Sequence, residues 1–348
     1  MRRYLTVFII LFLFGFSLFL FYQTRNDLVI SSNGLNLTVP EAQSPNKTND
    51  PKPLPPPSDI EPQKPLANPP NIIKAVYLTS WSAANKTKMD YIIDLLKTTE
   101  LNAVVIDIKD FSGYVAYNIK NAEVEKYKAK DIRIPKLNAL IKRLHDENIY
   151  AIGRITIFQD PVLAKARPDL AIKSSSTNEI WYDNKKLAWV DPAAKPVWDY
   201  NIAIAKDVAS RGFDELNFDY IRFPSDGNLN DMSFPFWDQK TSKPNVIRNF
   251  FKYLRSELKD SKISADLFGL TTIDANDLGI GQVIENAYIY FDFVSPMIYP
   301  SHYFTGLFGY KNPALHPYEV VKQSMDSALK RLREYGLKPT TSSTASST

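Results

Sequence analysis

From Ile72 to about Lys338, short runs of β-branched and aliphatic residues alternate with amphipathic segments. The runs cover 74–81, 103–110, 150–158, 215–223, 262–268 and 291–299. The helical segments lie near 87–99, 135–147, 195–211, 244–259 and 317–335. Buried parallel strands have this nearly continuous apolar character, with crossover helices between them. The alternation therefore predicts an α/β fold with a parallel sheet, either a TIM-type (β/α) barrel or a doubly wound sheet.

Two features favour the barrel. No glycine-rich loop follows the first run, whereas a nucleotide-binding doubly wound sheet usually has one. Polar side chains instead lie in or just after the C-terminal halves of most runs, where a barrel builds its active site. Only six strand-helix units are recognisable, so the barrel is incomplete unless strands have been missed. An inserted stretch predicts a hairpin in which 180–182 and 187–190 flank a turn at Asp183.

Two segments of different composition precede this domain. Residues 4–22 are uncharged and apolar, about the length of a helix that crosses a ~30 Å hydrocarbon core. Arg2 and Arg3 come before them, so residues 1–25 predict a cytoplasmic tip and a single-pass anchor in the cell membrane, with the domain extracytoplasmic. A cleaved signal peptide is the alternative, but large residues stand where the peptidase needs small ones.

Residues 26–71 form a proline-rich stretch that predicts a disordered, semi-rigid linker. The folded domain is then 72–338, and 339–348 is a Ser/Thr-rich tail. The lipid bilayer, contacted through residues 4–22, is one expected partner. The sequence does not indicate the oligomeric state.

Composition excludes several classes of function. The chain has no cysteine and three histidines, so we expect neither a thiol nucleophile nor a metal site, and no cofactor. Lys and Arg number 42 against 38 Asp and Glu, giving a net charge of +4. Without a long basic run, this balance gives no reason to expect a nucleic-acid partner.

The strongest chemical signal is the run 215–223, which carries Asp219 and Arg222 among apolar residues. Burying either charge is costly unless it is paired or functional. Asp266 lies near the end of the next run, and Asp107 near the end of an earlier one. Two carboxyl groups that face each other across a pocket are the machinery of glycoside hydrolysis. The alternative for Asp219 and Arg222 is a satisfied ion pair of the core.

Further candidates combine charged and aromatic side chains near the ends of the runs. Aromatic rings stack on the apolar faces of sugars while polar groups bind the hydroxyls, so the mixture suits a carbohydrate substrate. For Lys109 a solvated strand end is the alternative, for Arg154 a carboxylate pair, and for the aromatic residues ordinary core packing. The predicted substrate-binding residues are Trp81, Asp107, Lys109, Arg154, Trp189, Arg222, Tyr299 and His302.

Six motifs carry a family resemblance. They are Val105-Ile-Asp-Ile-Lys-Asp110 with Gly113, Ile152-Gly-Arg-Ile-Thr-Ile-Phe158 with Asp160-Pro161, Trp189-Val-Asp-Pro192, Phe218-Asp-Tyr-Ile-Arg-Phe-Pro224, Ala265-Asp-Leu-Phe-Gly269 and Ser295-Pro-Met-Ile-Tyr-Pro-Ser-His-Tyr303. With them the chain, from about 72 to 338, resembles the bacterial "putative glycosyl hydrolase domain" family of unknown function, a β/α barrel related to the alpha-amylase-like glycosidases. The final strands expected in such a barrel are not recognisable, which implies a truncated member.

The resemblance implies glycoside hydrolysis of a poly- or oligosaccharide, with Asp219 at the nucleophile position. Asn217 and Asp266 stand where the amylase-like enzymes have an arginine and a glutamate. Our hypothesis is that Asp219 is the nucleophile or charge stabiliser and Asp266 the general acid/base. An inactive glycan-binding or scaffold barrel is the main alternative. A polysaccharide deacetylase is a weaker one, because its usual paired-histidine metal site has no counterpart in the sequence.

Overall fold

The computed structural model describes residues 58–336. The predicted anchor at 4–22, most of the predicted linker and the tail lie outside the described residues. Ten strands lie in this part of the chain: β1 (Ala75–Leu78), β2 (Ala103–Lys109), β3 (Val115–Tyr117), β4 (Lys130–Ile134), β5 (Tyr150–Thr156), β6 (Lys173–Ser174), β7 (Glu215–Asp219), β8 (Met232–Ser233), β9 (Ile263–Phe268) and β10 (Phe293–Met297).

Nine α-helices connect or follow the strands of the described part. They are α1 (Ser80–Ala84), α2 (Lys86–Thr98), α3 (Ala122–Lys126), α4 (Leu137–Asp146), α5 (Pro161–Ala166), α6 (Lys195–Ser210), α7 (Lys243–Glu257), α8 (Ile284–Tyr290) and α9 (Pro317–Glu334). Between residues 58 and 336, no helix is both long and apolar enough to cross a membrane.

Six strands of the eight-stranded main sheet are parallel and lie in chain order, while β3 and β4 extend the sheet beside β2 through an antiparallel pairing of β2 with β3. β1 pairs with β2, β2 with β5, β5 with β7, β7 with β9 and β9 with β10, all in parallel. All six predicted runs are therefore strands of one sheet. A strand order without reversal fits a TIM-type barrel, whereas a doubly wound sheet reverses direction at its middle. In the described part, β10 ends the sheet and β1 pairs only with β2.

The helices cover the sheet through apolar faces at helical spacing. In α6, Val197, Tyr200, Ile204 and Val208 are buried, and a proline occupies the first turn, where its missing N–H costs no hydrogen bond. The predicted helices near 87–99, 135–147, 195–211, 244–259 and 317–335 are present within two residues at each end. The predicted hairpin is confirmed by an antiparallel bridge between Tyr182 and Ala188.

Strand register places the polar residues on one face of the sheet. Asp107 is the partner of Arg154, Arg154 of Asn217, and Asn217 of Ser264. Side chains of partnered residues point to the same face, as do residues two apart along a strand. Asp219 and Asp266 therefore share this face, one step closer to the C-terminal edge of the sheet.

The domain begins earlier than the sequence predicted. Residues 58–71, assigned to the disordered linker, run along the N-terminal end of the sheet. The carboxylate of Asp59 accepts hydrogen bonds from the N–H groups of Asn138 (2.6 Å) and Ala139 (3.1 Å) at the start of α4. The Leu66 N–H donates to Asp214 (2.6 Å). These polar contacts hold the segment even though its composition is typical of a spacer. We call residues 58–71 the N-terminal strap.

Candidate active site

Arg154 on β5 is the centre of the polar cluster. Its Nη1 donates to Asp107 Oδ1 at 2.6 Å, and its Nη2 donates to Asp219 Oδ2. Its Nε lies 3.6 Å from Asp266 Oδ2. One guanidinium thus contacts three carboxylates from three strands, and these are the three acids that the sequence singled out. The predicted alternative for Arg154, pairing with a neighbouring carboxylate, is what the structure shows.

Burial makes this cluster electrostatically unusual. The three aspartates raise the pKa of Arg154 well above its usual value, and their effect outweighs the opposing effect of burial. Burial raises the pKa of Asp107, although Arg154 and a hydrogen bond from the Tyr77 hydroxyl lower it. Three acids around one base leave the site with an excess of carboxyl groups, so protonation of one of them relieves repulsion.

Asp266 is the member of the cluster in the best position to hold that proton. Burial raises its pKa to about 7, the charge of Asp219 acts in the same direction, and Arg154 opposes both. Asn217 Nδ2 donates to Asp266 Oδ1 at 2.8 Å and so fixes the carboxyl group. Asp266 is therefore poised to exchange a proton near neutral pH.

Asp219 is held differently. Besides Arg154, its carboxylate accepts a hydrogen bond from the backbone N–H of Tyr220 (2.5 Å). Tyr220 has a φ of +53°, a left-handed conformation that is uncommon for a large side chain. The chain therefore turns sharply just after Asp219, and this turn brings a backbone donor to the carboxylate.

Lys109 departs from its prediction as a substrate-binding residue. Its side chain is 0% exposed and forms an ion pair with the equally buried Asp160 (Nζ to Oδ2, 2.8 Å). Its Nζ also donates to the Thr156 carbonyl at 2.8 Å. Gly113 makes room for this pair, because a Cβ there would lie 2.2 Å from Asp160 Oδ1. Lys109 thus stabilises the core, since the bulge at the end of β2 turns it away from the cluster.

Arg222 and Trp189 lie together beside the cluster. The Arg222 guanidinium carbon lies 4.9 Å from the Trp189 ring centre and 4.6 Å from that of Phe268. Trp189 is 2% exposed, and its Nε1 donates to Asp183 at 3.1 Å. Trp189 therefore lines the site as a support for Arg222, not as an open stacking surface. The predicted alternative for Arg222, a core ion pair with Asp219, is not formed among the described residues; Nη1 donates instead to the Phe223 carbonyl and to Ser225 Oγ.

The remaining predicted residues contact other side chains, not Arg154. Trp81 on α1 is 63% exposed, and the Arg133 guanidinium carbon lies 5.2 Å from its ring centre. The rings of Tyr299 and His302 are 5.2 Å apart at the exit of β10. Among the described residues, no hydrogen bond or ion pair connects Trp81, Tyr299 or His302 to the cluster.

Two residues of the site escaped the sequence analysis. Tyr77 on β1 donates its hydroxyl proton to Asp107, and Asn217 orients Asp266. Tyr77 lies one residue before the end of β1 and Asn217 two residues before the end of β7, both on the face of the sheet that carries the site, so strand phase was the available signal. Within residues 58–336, no group of three or more His, Cys, Asp or Glu side chains is placed to hold a metal ion.

A comparison with family models decides the family. The model described as "Putative glycosyl hydrolase domain" matches residues 75–342. The chain belongs to this family. The match spans the eight-stranded sheet, the polar cluster and all six motifs, so the family resemblance drawn from the motifs is confirmed. No curated protein sequence matches the chain.

The chain is also similar to solved structures. A crystal structure of a hypothetical protein from Ruminiclostridium thermocellum is 38% identical, covers 59% of this chain and 98% of its own, and has a TM-score of 0.52. An alpha-galactosidase from Thermus thermophilus is 13% identical over 59% of this chain and 39% of its own (TM-score 0.39). A maltogenic alpha-amylase from Thermotoga neapolitana is 12% identical over 77% and 57% (TM-score 0.44). The chain thus spans 39% and 57% of these two enzymes.

Proposed function

We propose that the protein is a glycoside hydrolase that cleaves a poly- or oligosaccharide through Asp219 and Asp266. The observation that carries this proposal is the contact of both carboxyl groups with one guanidinium, that of Arg154. They lie on neighbouring strands, at the C-terminal edge of a sheet whose strand order fits a TIM-type barrel. That edge is where barrel enzymes assemble their active sites.

The environments of the two acids support different roles. Asp219 accepts hydrogen bonds from Arg154 and from a backbone N–H, which suits a group that acts as a carboxylate, as nucleophile or as stabiliser of an oxocarbenium-like transition state. Asp266, with its pKa raised to about 7 chiefly by burial, exchanges its proton near neutral pH and suits the general acid/base. Asp107, Tyr77 and Asn217 position these groups through hydrogen bonds.

We also propose that the enzyme is anchored in the cell membrane and acts on a glycan. Residues 4–22 would anchor it in the cell membrane and residues 26–57 would carry the domain away from the bilayer on the extracytoplasmic side. A glycan is the substrate class that the family description supports. Trp81, exposed and stacked against Arg133, is suited to contact a sugar ring.

Substitution of the two acids tests the mechanism. We expect Asp219→Asn and Asp266→Asn each to reduce hydrolysis by roughly 10²-fold or more on a broad panel of glycans, because each removes a group that acts at the reacting bond. Asp191→Asn is the matched control, because Asp191 is a buried aspartate outside the cluster whose partners are backbone N–H groups, and thermal unfolding of each variant checks its folding. Full activity in either active-site variant would contradict the paired mechanism. The anomeric form of the first product then distinguishes retention from inversion.

One observation favours a second function, that of a non-catalytic glycan-binding domain. Arg154 lies between the carboxylates and neutralises part of their charge, as in a structural ion-pair network. If the protein binds glycans on the panel but hydrolyses none, and Asp219→Asn leaves binding intact, the binding function replaces the enzymatic one.

A further inference from the structure

Arg222 carries a positive charge but forms no ion pair with a carboxylate in the described part of the chain. It is 7% exposed, yet no Asp or Glu oxygen of residues 58–336 lies within 4.0 Å of its guanidinium nitrogens. The other deeply buried bases of this part are paired, Lys109 with Asp160 and Arg154 with three aspartates. A buried cation without an anion is unfavourable by several kcal/mol, so a site of this kind requires an explanation.

Aromatic rings hold this guanidinium in place. Its carbon lies 4.9 Å from the Trp189 ring centre, 5.3 Å from that of Tyr220 and 4.6 Å from that of Phe268. Cation–π contacts offset part of the lost hydration. Burial lowers the pKa of Arg222, and the charges of Asp219 and other nearby acidic groups offset this effect only in part.

One edge of the guanidinium is left free. Nη1 donates to the Phe223 carbonyl and to Ser225 Oγ, both at 3.1 Å. Nε and Nη2 donate to no acceptor among the described residues. Neither atom is among the unpaired side-chain atoms of this part that are sealed from solvent, so both remain open to it. These two N–H groups form the fork that binds a carboxylate or phosphate through two parallel hydrogen bonds.

Arg222 lies close to the proposed catalytic acids, since the charge of Asp219 acts on its guanidinium. Arg222 follows Asp219 by three residues, and Phe268, which packs on it, follows Asp266 by two. We infer that Arg222 binds an anionic group of the glycan, such as a uronate carboxylate or a sulfate or phosphate ester, so that the substrate is an acidic polysaccharide. This inference rests on the proposed function and names its substrate class.

Binding to the full chain carrying Asp219→Asn tests the inference without hydrolysis. The probes are oligogalacturonate and glucuronate-containing oligosaccharides, their neutral methyl esters, and inorganic phosphate and sulfate. Tryptophan fluorescence reports binding, since Trp189 stacks on Arg222. We expect at least one acidic oligosaccharide to bind roughly 10- to 100-fold more tightly than its methyl ester, the range of charge-assisted hydrogen bonds.

Two substitutions of Arg222 locate the effect. Arg222→Met keeps the contact with the rings and removes the charge, so we expect the preference for the acid to disappear while the methyl ester binds as before. Arg222→Lys keeps the charge without the fork and covers the case in which the methionine variant does not fold. Arg211→Met is the matched control. Arg211, which precedes β7, also lies over an aromatic ring, that of Tyr117 (5.1 Å), but it forms an ion pair with Asp207.

The outcomes separate this inference from the proposed function. Equal binding of acid and ester, a preference that survives Arg222→Met, the absence of binding by every acidic oligosaccharide, or binding of inorganic phosphate or sulfate alone overturns the inference. If the wild-type chain hydrolyses only neutral glycans, the proposed function stands and the inference fails. If acidic glycans bind through Arg222 but the wild-type chain hydrolyses none, the inference about binding stands and the enzymatic function fails.

Discussion

Arg154 and its three aspartates show how single residues meet conflicting electrostatic requirements. One guanidinium contacts three buried carboxyl groups and offsets only part of their negative charge. The remaining repulsion and the burial favour a proton on Asp266, whose pKa rises to about 7. The same contacts would serve a structural ion-pair network and the proposed catalytic pair of Asp219 and Asp266. Titration and kinetics distinguish these two roles.

The pKa of Asp266 predicts the pH dependence of hydrolysis. A general acid must carry its proton, and Asp266 carries it below about pH 7. We therefore expect kcat/KM to be level on the acidic side of neutrality and to fall about tenfold per pH unit above it. Rates on a cleaved substrate between pH 5 and 9 provide the measurement. A rate that keeps rising through pH 8 would assign the proton transfer to another group.

Glu215 predicts a pH dependence of stability. Burial at the N-terminal end of β7 raises its pKa to about 7, above the value of about 4.5 in the unfolded chain. The folded state thus holds the proton more tightly, and this contribution to stability is lost as pH rises towards 7 and beyond. We expect Glu215→Gln to remove a decline on the order of 3 kcal/mol in the free energy of unfolding between pH 5 and pH 8. Urea unfolding at both pH values checks this, with Asp266→Asn as the comparison. Equal declines in wild type and Glu215→Gln would rule out Glu215 as the source.

At the scale of elements, the N-terminal strap shows where composition misleads. Its residues 65–71 line a cavity of about 520 Å³ together with Tyr150, Glu215 and Phe293 at the N-terminal end of the sheet. Prolines favour an extended chain whether or not it is attached, so a spacer and a docked strap look alike in sequence. The contacts with Asn138 and Asp214, distant along the chain, decide between them.

Asp59 is the residue of the strap whose loss we expect to be most visible. Helix α4 begins after Lys136, which makes no side-chain capping bond, and Asp59 supplies the acceptor instead. Asp59→Ala should lower the free energy of unfolding by about 1 kcal/mol, the usual effect of losing a helix cap. It should also speed proteolysis within 58–66. Glu61→Ala, at an exposed position of the same strap, is the control. Identical unfolding and cleavage in both variants would show that the strap is not held by Asp59.

At the scale of the whole molecule, the described sheet remains open. β10 has no partner beyond β9, and β1 pairs only with β2. Interior side chains near these edges are accordingly less covered than those of the central strands; Tyr77 is 42% exposed. The polar cluster avoids this exposure in part because its charged members come from the central strands β2, β5, β7 and β9.

The predicted membrane anchor is tested on the full chain. We expect the full chain, expressed in a bacterium, to sediment with membranes, and its C-terminal tag to be cleaved by protease added to spheroplasts. Deletion of residues 1–25 should release the protein to the soluble fraction, since the apolar run at 4–22 is the expected anchor. Protection of the tag until the cells are lysed would place the domain on the opposite side from our prediction.

Reading the sequence was enough to predict the six parallel strands, their helices, the family and the three acids of the site. These features follow from local apolar periodicity and from motifs at strand ends, which need no knowledge of distant contacts. Three other features emerge from the folded chain alone: Lys109 turns into the core, Arg222 stacks on aromatic rings without a carboxylate, and the strap docks on α4. Such roles depend on the direction of side chains and on partners tens of residues away. Spacing along the chain does not encode these directions and partners, whereas packing in three dimensions fixes them.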